Sequence, residues 1–321
     1  MDKKFHLDAV KDIDIENASI LNIAEQMHDA GGFSAKKFGV GVKILAEFIQ
    51  KKDCLKFLSI PAAPISTGLR GVIKHMVKKK MFDVIVTTCG FLDHDVARTY
   101  KDYYKGDFMM DDAMLNKKGI NRLGSILVPN ESYGIIIEDV FKIFLQKMYD
   151  KGYRAISTKD FCYELGKCME TAKKRDCSIL YWAYKNKIPI FIPAPTDGSV
   201  GSQVWMFNQK HKDFTFDIIK DEHALSDLVF EAKSMAALII GGGVSKHHVI
   251  WWSQFNKGLD YAVYITTAVE YDGSLSGAQT REAISWGKLK EKAKHVTIEA
   301  DATLILPFMI AAVEEKLKKI K

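Results

Sequence analysis

MAALIIGGGVSKHH, residues 235–248, runs from an unbroken apolar segment through three glycines into a helix-forming stretch. The apolar run is too short to cross a bilayer and reads as a strand buried on both faces. Strands of that kind belong to parallel sheets covered by helices. Two readings stand for Gly241, Gly242 and Gly243. They make a tight turn, or they bring the backbone close to a phosphate or a ring, backed by unpaired N–H groups of the helix that follows.

The same order of strand, loop and helix recurs outward from this stretch. Residues 55–60 predict a strand ending at AAPISTG (62–68), ahead of a helix through Ile73, Met76 and Val77. Residues 84–86 end at Thr87-Thr88-Cys89-Gly90, and 188–192 end at PAPTDG (193–198). Residues 262–265 end at Thr266-Thr267, and 296–298 end near Asp301, before a long final helix. Spaced apolar residues after Phe33 predict one more helix. The expected architecture is α/β, a single large Rossmann-like domain with a mostly parallel sheet flanked by helices. Residues 1–30, polar and irregular at first, are expected to form an N-terminal arm or extension, and 31–321 the main domain.

Nearly every polar or glycine-rich cluster falls at a strand end, where open α/β sheets bind their ligands. Such convergence suits an extended cofactor. Asp197 and Asp301 each sit just past a strand. Each is a turn or helix cap, or an acceptor for the ribose hydroxyls of a nicotinamide dinucleotide.

Charge and composition narrow the partners. The chain carries 46 basic and 40 acidic side chains, a net charge of +6 that is mild for 321 residues. Its lysine clusters are not interleaved with aromatic residues, so no direct nucleic-acid contact is expected. No membrane span is expected either. None of the five cysteines lies in a CxxC, and no HExxH occurs, so no metal is expected. An odd cysteine count and an N-terminus without a secretory pattern point to a reducing, cytoplasmic setting. His247 and His248 are helical neighbours that do not share a face. One of them alone could orient an amine or relay a proton.

Residues 271–288, YDGSLSGAQTREAISWGK, end on Ser285-Trp286-Gly287-Lys288. Lysine amines are ordinarily protonated at neutral pH. Burial against an indole, or a nearby cation, would free the amine to attack an imine or carbonyl carbon. The other reading is a surface lysine whose stem covers the tryptophan.

At this point the chain resembles the deoxyhypusine synthases. The resemblance rests on STGLRG (66–71), VTTCG (86–90), GINRLG (119–124), VPNESY (128–133) and YWAYKNKIPIFIPAPTDGS (181–199). It continues through GGGVSKHH (241–248), DYAVYITTA (260–268), DGSLSGA (272–278) and EAISWGK (282–288). The wording TTCG…DHD and HHVIWW is that of the archaeal branch.

The resemblance implies an NAD-binding catalytic domain that moves the aminobutyl group of spermidine to one lysine of the translation initiation factor 5A precursor. Hydride leaves spermidine for NAD, the active-site lysine takes up the imine, and 1,3-diaminopropane departs. The substrate lysine then accepts the imine and the retained hydride reduces it, giving deoxyhypusine. It places Lys288 as the imine-forming lysine and His247 beside the amine. It assigns Ser66, Thr88, Cys89, Gly90, Asp197, Gly241, Gly243, Thr267, Ala268, Asp301 and Ala302 to NAD. It assigns Asp93, His94, Asp272, Gly273, Ser274, Glu282 and Trp286 to the polyamine. It further implies a homotetramer of tight dimers, with NAD and the active site at the dimer interface. Four positions depart from the eukaryotic pattern: His94 for a glutamate, Ser202 and Leu275 for acidic residues, and Trp251 for an asparagine. Asp93, Asp95, Asp272 and Glu282 are the carboxylates that could make up the charge. Two alternatives are a homospermidine synthase-like transfer to putrescine and a non-catalytic paralogous regulatory subunit.

Overall fold

The computed structural model describes residues 8–320. Apolar, β-branched runs form the central strands β1 (Leu55–Ser59), β2 (Val84–Val86), β3 (Ile190–Phe191), β4 (Met235–Ile240), β5 (Leu259–Thr266) and β6 (Leu289–Glu299). All neighbours pair in parallel, in the order β6-β5-β4-β1-β2-β3. This is the strand order of dinucleotide-binding folds, with its switch point between β1 and β4.

The described residues also form the helices α1 (Ile20–Ala30), α2 (Phe33–Gln50), α3 (Leu69–Lys78), α4 (Cys89–Tyr100), α5 (Asp112–Lys117), α6 (Gly134–Asp150) and α7 (Thr158–Cys168), then α8 (Ile179–Asn186), α9 (Ser199–Lys210), α10 (Ile218–Glu231), α11 (Gly243–Ser253), α12 (Thr280–Ser285) and α13 (Ala302–Ile320). Side chains alternate across the strands, so each face builds its own core. Leu58, Leu238, Val263 and Ile298 join Phe48 of α2, Ile73 of α3 and Met309 of α13. Phe57, Ile239 and Tyr264 join Val229 of α10, Val249 of α11 and Ala283 of α12. The site described below opens on this second face.

Each expected strand of the sheet is present, and the expected α/β class holds. Two small sheets were not legible. One is antiparallel, from Ile120–Leu123, Ile126–Pro129 and Tyr104–Lys105, and the other pairs Ala155–Ile156 with Thr215–Phe216. Their strands are too short and too exposed to carry a periodic signal.

The extension expected over residues 1–30 packs on the body where it is described. Residues 1–7 lie outside the described residues, but α1 is part of the body. Ser19 Oγ caps it by accepting from Asn22 N–H at 3.2 Å. Leu21 and Ala24 are buried, and Lys316 of α13 bonds Glu25 at 2.8 Å. Burial of a short apolar stripe outweighs the polar look of the flanking sequence.

Candidate active site

Lys288 reaches the site because α12 stops abruptly. Gly287 takes φ +67°, a left-handed stop that glycine tolerates, and Gly287 and Lys288 donate back to Ile284 O and Ala283 O, both at 2.9 Å. The Lys288 carbonyl then accepts from Leu259 N–H at 3.0 Å and Ser253 Oγ at 2.9 Å. Its backbone is thereby pinned to both β5 and α11.

The side chain of Lys288 is buried and lines a cavity of about 300 Å³ between α11, α12 and the Tyr264 ring of β5. His247, Glu282 and Trp286 line the same cavity. The Lys288 amine stands 5.1 Å from the centre of the Trp286 ring, so the indole is a neighbour as the Trp-Gly-Lys spacing suggested. Burial, with the Lys288 charge second, holds the His247 imidazole below its ordinary range. The ring is therefore neutral at neutral pH and free to accept a proton. His248 points elsewhere. It lies 3.4 Å from Glu222 of α10, and burial brings its pKa down to about 4, so that contact joins a neutral ring to a carboxylate.

Lys246, Trp251 and Tyr264 are among the cavity residues that were not assigned a role from sequence. Positions 246, 247, 250 and 251 form one stripe along α11, and that helical spacing was the available signal. Lys246 is fully buried and donates to Leu275 O at 2.7 Å and Ala278 O at 2.8 Å. Its ammonium lies 4.5 Å from the Tyr264 ring centre. Burial lowers its pKa to about 8, opposed by the Glu282 charge. Lys246 thus fastens the 272–278 loop to α11. On that loop, Asp272, Gly273 and Ser274 form an exposed turn, with Asp272 Oδ1 accepting from Ser274 N–H at 2.6 Å.

The residues expected to meet NAD gather at the carboxyl ends of the strands. Gly241 and Gly243 both have φ +69°, and a Cβ at Gly243 would meet open space. Gly242 is different. A Cβ there would collide with Ser276, so close approach of this glycine serves a neighbouring loop and not a ligand. Gly90 is similarly close, since its Cβ would lie 2.8 Å from the Ala62 side chain and so sets the spacing of the loops after β1 and β2. Thr88 precedes α4 without a side-chain cap, as Gly242 precedes α11. Cys89 is buried, which pushes its thiol far up and makes it inert. Ser66 Oγ donates to Ala63 O at 2.7 Å. Ala268 N–H donates to Thr266 Oγ1 at 3.1 Å, which folds the chain just past β5 around Thr267. Asp197 is exposed. Asp301 is exposed and caps α13, accepting from Thr303 N–H at 2.8 Å beside Ala302. At the end of β1, the buried Ser59 Oγ has no hydrogen-bond partner. Uncapped helix starts, left-handed glycines and an orphaned hydroxyl at the switch point fit a dinucleotide.

Asp93 and His94 lie outside the Lys288 cavity of the same chain. The Asp93 carboxylate is buried and accepts from Tyr133 Oη at 2.7 Å, Ser199 N–H at 2.9 Å and Val200 N–H at 2.8 Å. It caps α9, a structural task that the sequence reading did not assign to it. Asp95 likewise caps α8. His94 is half-buried, with Nδ1 3.0 Å from Tyr103 Oη, and burial lowers its pKa to about 4. Among the described residues, Glu282 is the one carboxylate lining the cavity.

Comparison with known proteins gives one consistent answer. A family model described as Deoxyhypusine synthase matches residues 22–313. The "Probable deoxyhypusine synthase" of Picrophilus torridus is 52% identical over 303 residues, covering 94% of this chain and 96% of that protein. The protein of the same name from Thermoplasma acidophilum is 49% identical over 313 residues, covering 97% and 99%. A crystal structure from Entamoeba histolytica superposes with a TM-score of 0.63 at 18% identity, covering 94% of this chain and 96% of that one, and speaks to the fold alone.

Proposed function

The chain belongs to the deoxyhypusine synthase family, and from that membership we infer that it transfers the aminobutyl group of spermidine, with NAD, to one lysine of the translation factor 5A precursor. The observation that carries the reading is the single cavity shared by Lys288, His247, Glu282 and Trp286.

NAD, when bound, would supply the hydride acceptor, and later the hydride donor, for the carbon beside the secondary amine of spermidine. Gly241, Gly243, Asp197, Asp301 and the loops at Ser66 and Thr88 would hold it. The chain's own residues do the rest. Lys288 in its neutral form attacks the oxidised carbon, forming a C–N bond, and the bond to 1,3-diaminopropane breaks. The aminobutyl group then sits on Lys288 as an imine until the lysine of the acceptor replaces it. His247, held neutral, takes the proton that the attacking amine sheds. Glu282 pairs with an ammonium of the donor, and Trp286 lies along its chain and excludes water.

Residues from 31 onward, with α1, form the catalytic unit in this reading. In this reading the enzyme works in the cytoplasm as a homotetramer, and the exposed apolar Leu304 and Phe308 on α13 next to Asp301 suit a subunit contact. Light scattering during gel filtration tests that state, and a fully active monomer would contradict it.

Lys288→Ala tests the chemistry. It is expected to abolish labelling by radioactive spermidine under borohydride while NAD still binds, because the lysine acts only after hydride has moved. Deoxyhypusine formation by this variant would overturn the assignment. Supplying the factor 5A precursor or putrescine as acceptor separates the protein-modifying reaction from homospermidine synthesis.

A further inference from the structure

Within one chain, the Lys288 cavity offers little negative charge to the cation that the reaction brings to it. Among the described residues its carboxylate is Glu282, and it shares the cavity with two lysines, Lys246 and Lys288. Glu282 already acts on the Lys246 ammonium. Asp93 and Asp95 are spent on helix starts, and Asp272 lies on the exposed loop. A polyamine entering here needs attraction of another kind, because a desolvated cation without a partner is costly.

The cavity supplies rings instead. Tyr264, Trp251 and Trp286 all line it. Two of these rings already hold a lysine: Lys246 lies 4.5 Å from the centre of Tyr264, and Lys288 lies 5.1 Å from that of Trp286. Trp251 is the cavity ring with no cation against it among the described residues. Its plane is fixed by stacking on His247, at 5.7 Å between centres and 22° between planes. The apolar Leu275 lines the same cavity.

We propose that Trp251 is a binding residue for the donor polyamine, its indole face holding one ammonium by cation–π attraction where carboxylates are scarce. The proposal rests on the reading of this cavity as the spermidine site. Trp251 sets the donor affinity and leaves the covalent step to Lys288.

The test is spermidine binding by calorimetry to the enzyme loaded with NADH, which cannot accept hydride, in wild type, Trp251→Phe and Trp251→Leu, with borohydride trapping at Lys288 under NAD measured alongside. The dissociation constant should rise about threefold for Phe and about tenfold for Leu, following the strength of the ring quadrupole. NAD affinity should stay within about twofold, as Trp251 lies one turn beyond His247 and away from the glycine loop. Equal losses for Phe and Leu would mean that Trp251 only fills space. Wild-type affinity in the Leu variant, or a parallel loss of NAD binding, would equally overturn the proposal. Failure of wild type to label Lys288 despite the expected binding shifts would sink the proposed reaction and leave the role of Trp251 standing.

Discussion

Two aspartates, Asp93 and Asp95, flank His94 on α4, and each belongs to a different helix start. Asp95 is fully buried. It accepts from Arg70 Nε at 2.7 Å, Ser178 Oγ at 2.8 Å, Ile179 N–H at 3.1 Å and Leu180 N–H at 2.9 Å. One carboxylate thus caps α8 and neutralises a buried guanidinium on α3. Asp95→Ala leaves Arg70 without its anion, and unpairing a buried charge costs about 3–5 kcal/mol. Urea unfolding should read that loss, and a change under 1 kcal/mol would show that the pair is dispensable. The acidity of the DHD triplet was legible in the sequence, but the direction of its side chains was not. Residues two apart on a helix point about 200° from one another, so what each meets depends on helices more than 80 residues away.

The glycine triplet shows the same limit at the scale of an element. Strand, turn and helix were all legible in MAALIIGGGVSKHH, and β4 and α11 lie where that stretch placed them. The division of labour among the three glycines was not. Gly241 and Gly243 supply left-handed backbone, while Gly242 admits Ser276 from a loop that follows the next strand. Gly242→Ala should push the 275–278 segment away from α11 and loosen the carbonyls that bind Lys246. Overpacking of this kind costs about 1–3 kcal/mol. The expected result is a lower melting temperature together with a weaker spermidine half-saturation. A variant with unchanged spermidine response would separate the loop from the cavity. Gly243→Ala meets open space but keeps φ +69°, so its cost is backbone strain alone, about 1–2 kcal/mol.

For the whole molecule, pH is the informative variable. Burial lowers both His94 and His248 to about 4, the first helped by Arg98 and the second by His247. An unfolded histidine titrates near 6.5, so between about pH 6.5 and 4 the unfolded chain binds protons that the folded chain refuses. The stability from keeping these rings neutral is fully present above that window and is lost as pH falls through it. Each ring contributes at most about 3 kcal/mol. Asp93, Asp221 and Glu222 have raised carboxyl pKa values, chiefly through burial, and act in the opposite sense over an overlapping range. Unfolding free energies at pH 7.5, 6 and 5 for wild type and a His94→Gln, His248→Gln double variant isolate the histidine part. The double variant should show the flatter decline, and parallel curves would assign the acid sensitivity to other groups.

Local pattern determined the strand-loop-helix succession, the parallel buried sheet and the family, because each depends on neighbours a few residues apart. It also singled out Lys288, His247, Glu282 and Trp286, which the fold brings to one cavity. Only the tertiary structure decided that α1 joins the body, that Asp93 and Asp95 turn inward as caps, and that Lys246, Tyr264 and Trp251 complete the wall around the lysine. Those outcomes depend on which distant backbone amides and rings come within reach, and contacts of that kind exist only once the sheet and its two helical layers have packed.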